Sequence, residues 1–100
     1  MLLYNITVGI DLDVEMEWVQ WMKTVHMPAV MGTGMFVNSR MYKVLQDEVE
    51  GTVSYSVQYF ADSIDNVQQY LEVYGPKLIE EHRQRYLSKH VAFQTLLEEV

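Results

Sequence analysis

In a chain without cysteine, three histidines are the side chains best suited to move a proton near neutral pH. His26 stands four residues after Met22 and two before Pro28, where the proline removes an intrahelical hydrogen bond and leaves a backbone carbonyl free. This position suits a general base or a hydrogen-bonding group at a pocket mouth, and equally a ring whose N–H satisfies that carbonyl. His82 falls on an apolar helical stripe with Tyr86 one turn on, the setting of a hydrogen-bonded structural histidine. His90 follows Lys89 at the start of a strand and reads as exposed. Separated by 56 and 8 positions, the three do not form a helical metal pair, so neither a metal nor a cofactor is expected.

Arg40 shares a strand register with Phe36, Asn38 and Tyr42, a costly place for a cation without a partner. It either clamps a carboxylate or makes a salt bridge at an edge or interface. Asn5, Thr7, Gln58 and Gln94 are uncharged polar residues within strand registers, able to orient a ligand carbonyl. Asp11, Asp13, Glu15 and Glu17 read as helix-start charges, with Asp11 and Asp13 placed to accept from free N–H groups. Neither a phosphate-binding glycine loop nor a nucleophilic triad motif occurs.

Seven basic against fourteen acidic residues give a net charge of −7, which disfavours nucleic acid and anionic membranes as partners. A hydrophobic content of 49% over 100 residues suits one folded domain, residues 1–100, with one core. Met1-Leu2-Leu3-Tyr4 has no basic flank and Asn5 and Thr7 interrupt it, so no signal peptide is expected and the cytoplasm is the expected location.

The elements follow from periodicity. Leu2–Ile10 alternates as a first strand. A helix beginning near Asp13 carries Val14, Trp18, Trp21, Met22, Val25 and Ala29 on one face, with a kink or restart at Pro28 and an end at Gly32 and Gly34. Met35–Gln46 and Thr52–Phe60 alternate as a hairpin around the polar Asp47–Gly51 segment. Asp62 or Ser63 is placed to cap a second helix with Ile64, Val67, Leu71, Tyr74, Leu78, His82 and Tyr86 on its stripe, bent or broken at Gly75-Pro76. Val91–Leu97 forms the last strand.

With right-handed crossovers this order gives an α+β, ferredoxin-like βαββαβ sandwich: a four-stranded antiparallel sheet with two helices on one face. The other face is expected to present Leu3, Asn5, Thr7, Ser54, Ser56, Gln58 and Phe60, with Gln94 in the same polar set. It is too apolar for bulk solvent and too polar for a dry core, and two such sheets facing each other in a homodimer would enclose it.

The run from Trp18 through Trp21-Met22, His26-Met-Pro28 and Thr33-Gly34-Met-Phe36 resembles the bacterial domain-of-unknown-function family 4286. Leu3–Val8, Tyr55–Phe60, Glu80-Glu81-His82 and Val91–Glu98 extend the resemblance over nearly the whole chain. It implies a fold similar to the dimeric α/β barrels, whose members include small monooxygenases and isomerases, and implies no particular reaction. The expected function is a homodimeric small-molecule-binding or regulatory domain, with His26 beside a cleft formed by Asn5, Thr7, Arg40, Gln58 and Gln94. The alternative is a cofactor-independent monooxygenase or isomerase using His26 as base.

Overall fold

The computed structural model describes residues 1–46 and 49–100. Four strands, β1 (Leu2–Asp11), β2 (Asn38–Lys43), β3 (Thr52–Ala61) and β4 (His90–Glu98), form one sheet in the order β2-β3-β1-β4. Every neighbouring pair is antiparallel. Together with two helical arms this is the ferredoxin-like arrangement. Of the hairpin turn expected over 47–51, Asp47 and Glu48 lie outside the described residues, and Gly51 supplies a left-handed φ of 84°. The second strand is shorter than its alternation predicts. Val37 still donates its N–H to the Phe60 carbonyl, but Met35 and Phe36 precede the ladder and Phe36 folds into the core.

The first arm comprises a 3₁₀ turn at Leu12–Val14, α1 (Glu15–Trp21), a π-helical turn at Met22–His26 and α2 (Met27–Met31). The second comprises α3 (Ile64–Gln69), a π-helical turn at Tyr70–Tyr74 and α4 (Gly75–Arg85). Each proline therefore sits in the first turn of a resumed α-helix, where its missing N–H is least costly. The π turn before it has a second consequence. A π turn holds an extra residue, which rotates the following side chains by about a quarter turn about the axis. The stripe expected to continue through Val25 and Ala29 passes instead to His26, Met27 and Val30, leaving Val25 and Ala29 exposed. In the second arm Tyr70, absent from the expected stripe, is buried while Ile64 is exposed.

Ser63 caps α3 by accepting a hydrogen bond from the Asn66 N–H. Asp11 and Asp13 do not cap the first arm; their carboxylates instead face Lys89 at 4.0 and 2.9 Å, joining the end of β1 to the entry into β4. Glu15 is likewise tied inward, accepting from the Tyr55 hydroxyl at 2.6 Å beside Lys43 at 3.4 Å.

The register settles which side chains share a face. Tyr4, Ile6, Val8 and Ile10 of β1 lie opposite Tyr59, Val57, Tyr55 and Val53 of β3 and face the helices. Asn5 and Thr7 pair with Gln58 and Ser56 on the outer face, and Arg40 pairs with Gln58 there. Gln94 lies opposite Ile6, so it faces the helical side and does not belong to the outer polar set. The alternation of β4 has the reverse sense from that expected, with Val91, Phe93, Thr95 and Leu97 outward.

Candidate functional site

Two groups of rings meet across the interior. One gathers Tyr4, Phe36, Tyr59 and Tyr70, with Phe36 5.3 Å from Tyr59 and 5.0 Å from Tyr70 between centroids. The other runs from Trp21 to His26 (5.1 Å, stacked), His26 to His82 (5.7 Å) and His82 to His90 (4.8 Å, edge-on). Glycine helps position the first group: a Cβ at Gly75 would approach the Tyr70 carbonyl at 3.1 Å and its ring at 3.2 Å, so a larger residue would require Tyr70 to shift by a few tenths of an ångström from the start of α4.

Between these groups lies a cavity of about 210 Å³. Its buried lining includes Tyr4, Met22, His26, Val57, Tyr59 and Tyr70, and Ile79, Arg83, Ala92 and Gln94 stand on the exposed side. The opening thus lies between α4 and β4, whose inward positions Ala92, Gln94 and Leu96 are all exposed. Among the described residues, the buried polar atoms without a hydrogen-bond partner are His26 Nδ1 and Tyr59 Oη, and both residues line this cavity. Native interiors rarely leave such groups unmatched, so a ligand or an ordered water is expected to complete the pair.

The ring states are fixed by burial and partners. Burial pushes His26 down to about 4, leaving it neutral at pH 7. His82 is pushed down to about 3 by burial and by the neighbouring His26 and His90. The Trp18 indole donates to His82 Nε2 at 2.9 Å, so the neutral ring carries its proton on Nδ1. His90 Nδ1 lies 2.7 Å from the Tyr86 carbonyl, an acceptor only, so that nitrogen also carries hydrogen. His82 therefore has a structural partner, as its stripe position predicts. Among the described residues no group of three metal-ligating side chains converges. Burial raises the Tyr59 hydroxyl far above its ordinary range, and Tyr4 to about 12, so both stay protonated.

The residues singled out by sequence are divided between two places. His26 and Gln94 belong to the cavity. Asn5, Thr7 and Gln58 lie across the sheet from it, joined through Ser56: Asn5 donates to Thr7 at 3.1 Å, Ser56 to Asn5, and Gln58 to Ser56 at 3.1 Å. Arg40 is on this outer face as well, 5.9 Å from the Phe60 ring and 3.4 Å from the Tyr42 hydroxyl. A single cleft formed by His26 with the outer residues is ruled out by the intervening sheet. Tyr59, which alternation presents as an ordinary strand residue, is among the cavity-lining residues that sequence reasoning misses. Its signal was a core register carrying tyrosine hydroxyls without enough polar partners.

An unpartnered buried hydroxyl costs stability, so Tyr59→Phe is expected to raise the unfolding free energy by about 1 kcal/mol. Urea melts check this. A loss of stability would show that the hydroxyl has found a partner in solution, such as an ordered water.

The four-stranded antiparallel sheet with its two helical arms defines an α+β protein of the ferredoxin-like class. The model of the family Domain of unknown function (DUF4286) matches residues 1–100, and the chain belongs to that family. No curated protein matches it significantly. Among solved structures it is similar to an ethyl tert-butyl ether d (EthD) family protein from Bacillus halodurans, at 12% identity, TM-score 0.69 and full coverage of both chains. HapK from Hahella chejuensis is similar at 11% identity and TM-score 0.73, covering 100% of this chain and 93% of that one. A dimeric ferredoxin-like protein from an uncultured marine organism matches at 11% identity and TM-score 0.54, covering 99% and 98%. At such identities the likeness concerns the fold.

Proposed function

We propose that this chain is a single-domain, cytoplasmic homodimer that binds a small molecule in the cavity between its sheet and helices, either for its own sake or as a regulatory input. The observation that carries this reading is that His26 and Tyr59, whose Nδ1 and Oη are buried without a hydrogen-bond partner, both line one cavity. Gln94 stands where a ligand would enter, while Asn5, Thr7, Gln58 and Arg40 belong to the surface that meets the second copy. Dimerisation is supported by Phe93 and Val91, 63% and 73% exposed on the outer side of β4, and by the dimeric description of one similar structure. Among the described residues no helix is long and apolar enough to cross a membrane.

A second reading, a cofactor-independent monooxygenase or isomerase with His26 as base, is favoured by the neutral ring and its free Nδ1. The same burial makes that ring a weak base, which places binding ahead of proton abstraction. A metabolite screen by thermal shift, with light scattering on the same samples, tests the proposal. The expected result is a mass of twice 11.8 kDa and a ligand that raises the melting temperature of the wild type more than that of His26→Gln. A monomer at every concentration would remove the dimer, and a ligand whose effect ignores His26→Gln would remove the site.

A further inference from the structure

Building on the binding reading, we infer that the cavity takes an uncharged ring-sized molecule, one substituted aromatic ring or a small fused pair, bearing a hydroxyl or carbonyl oxygen that reaches Tyr59 Oη. Size is the first argument. An apolar cavity of about 150 Å³ holds a benzene ring, so 210 Å³ exceeds one bare ring and admits a substituted one. The shape of the lining is the second: Tyr4, Tyr59, Tyr70 and His26 offer aromatic surface to a flat ligand.

Charge is the third argument. None of the described cavity-lining residues is acidic, and the permanent cation among them, Arg83, is already held by both oxygens of Glu80, at 2.8 Å from Nε and 2.7 Å from Nη2. A carboxylate driven among the buried rings would meet the neutral His26 and His82 and neutral phenols, while the remaining lining nitrogen bases, the half-buried His90 and the Glu80-bound Arg83, are more exposed, so little offsets its desolvation. A cation would find no carboxylate either. The groups that lack partners ask for neutral ones. Tyr59 Oη has a proton to donate and so needs an acceptor oxygen, and His26 Nδ1 accepts from or donates to the same molecule according to its tautomer.

Three probes of one shape separate the arguments: 4-ethylphenol, ethylbenzene and 4-ethylbenzoate, titrated into the full protein and followed by ¹H–¹⁵N spectra and by imidazole ¹⁵N shifts. The expected result is that 4-ethylphenol moves the signals of Met22, His26, Val57 and Tyr70, and binds at least about tenfold more tightly than 4-ethylbenzoate. Tyr59→Phe is expected to weaken 4-ethylphenol about tenfold, the scale of one lost hydrogen bond, and to leave ethylbenzene unchanged. Benzoate binding as tightly as the phenol would overturn the uncharged class while leaving the pocket standing. Ethylbenzene matching the phenol, with no effect of Tyr59→Phe, would overturn the role of the oxygen. No cavity shifts with any of the three up to millimolar concentration would overturn the pocket and, with it, the binding reading itself.

Discussion

Lowering the pH from 7.5 to 5 is expected to cost this protein on the order of 4 kcal/mol of folding stability, before its carboxylates titrate appreciably. The cause is the buried pair His26 and His82. An unfolded chain protonates each imidazole near its ordinary value of 6.5, whereas burial holds the folded rings down at about 4 and about 3. Between those values the unfolded state binds protons that the native state refuses, so each ring contributes about 1.4 kcal/mol of loss per pH unit. The stability is fully present above 6.5 and falls as the pH drops toward 4. The sign comes from a depressed folded value; a histidine with a carboxylate partner would do the reverse. The groups packed around the two rings are Trp18, Trp21, Tyr86 and His90, none of them an anion that would welcome the proton. Urea midpoints at pH 7.5, 6 and 5 measure the slope, and a His26→Gln, His82→Gln double variant is expected to flatten it. A wild-type profile already flat over this range would show that both rings take up protons in the folded state.

The histidines also mark the line between what the sequence discloses and what it conceals. Alternation in β1 and β3 was legible because both strands are covered on one side: Tyr4, Val8, Val57 and Tyr59 are buried and their neighbours are not. Strand β4 is not legible in this way because it is an edge with neither side well covered, so its apolar residues give no direction. Only the pairing of Gln94 with Ile6 shows that Gln94 faces the helices, and it can do so because a cavity, and no packed helix, lies there. The stripe of the first helix was legible as far as Met22. Beyond it, periodicity assumes 3.6 residues per turn, and the π turn breaks that assumption at the position where His26 is brought inward. Pro28 advertised a disruption, but a kink, a break and a π turn have the same sequence signature.

The cavity itself was not legible, since it is made by what fails to touch. Its lining comes from β1, β3, β4 and both helical arms, and no spacing rule links Tyr59 to His26. The same holds for the Trp18–His82 hydrogen bond across 64 positions. Stripe arguments place both residues in the core, and they do not say that one is the other's partner. The outer polar network was partly legible: Asn5, Thr7, Ser56 and Gln58 are recognisable as one register, but their mutual hydrogen bonds make this a satisfied surface that does not need a ligand.

Trp18 is where packing and polarity can be separated by experiment. It has no exposed surface and stands 5.0 Å from the Tyr55 ring, so Trp18→Ala is expected to cost about 3–5 kcal/mol, the usual penalty for emptying a large aromatic site. That is a large fraction of the stability of a domain this size. Trp18→Phe retains most of the bulk and removes the indole N–H, leaving His82 Nε2 without its donor. Its expected cost is about 1–3 kcal/mol, the penalty for a buried acceptor left unmatched. Pairing it with His82→Leu, which removes the acceptor as well, is expected to recover part of that loss, because the double variant has no unmatched nitrogen. Denaturant melts of Trp18→Ala, Trp18→Phe, His82→Leu and the Trp18→Phe, His82→Leu double variant supply the comparison. If Trp18→Ala costs less than about 1 kcal/mol, Trp18 does not fill the core. If Trp18→Phe costs nothing while Trp18→Ala costs the full amount, the indole matters by volume alone, and His82 is held in the site by its ring contacts with Trp21, Tyr86 and His90.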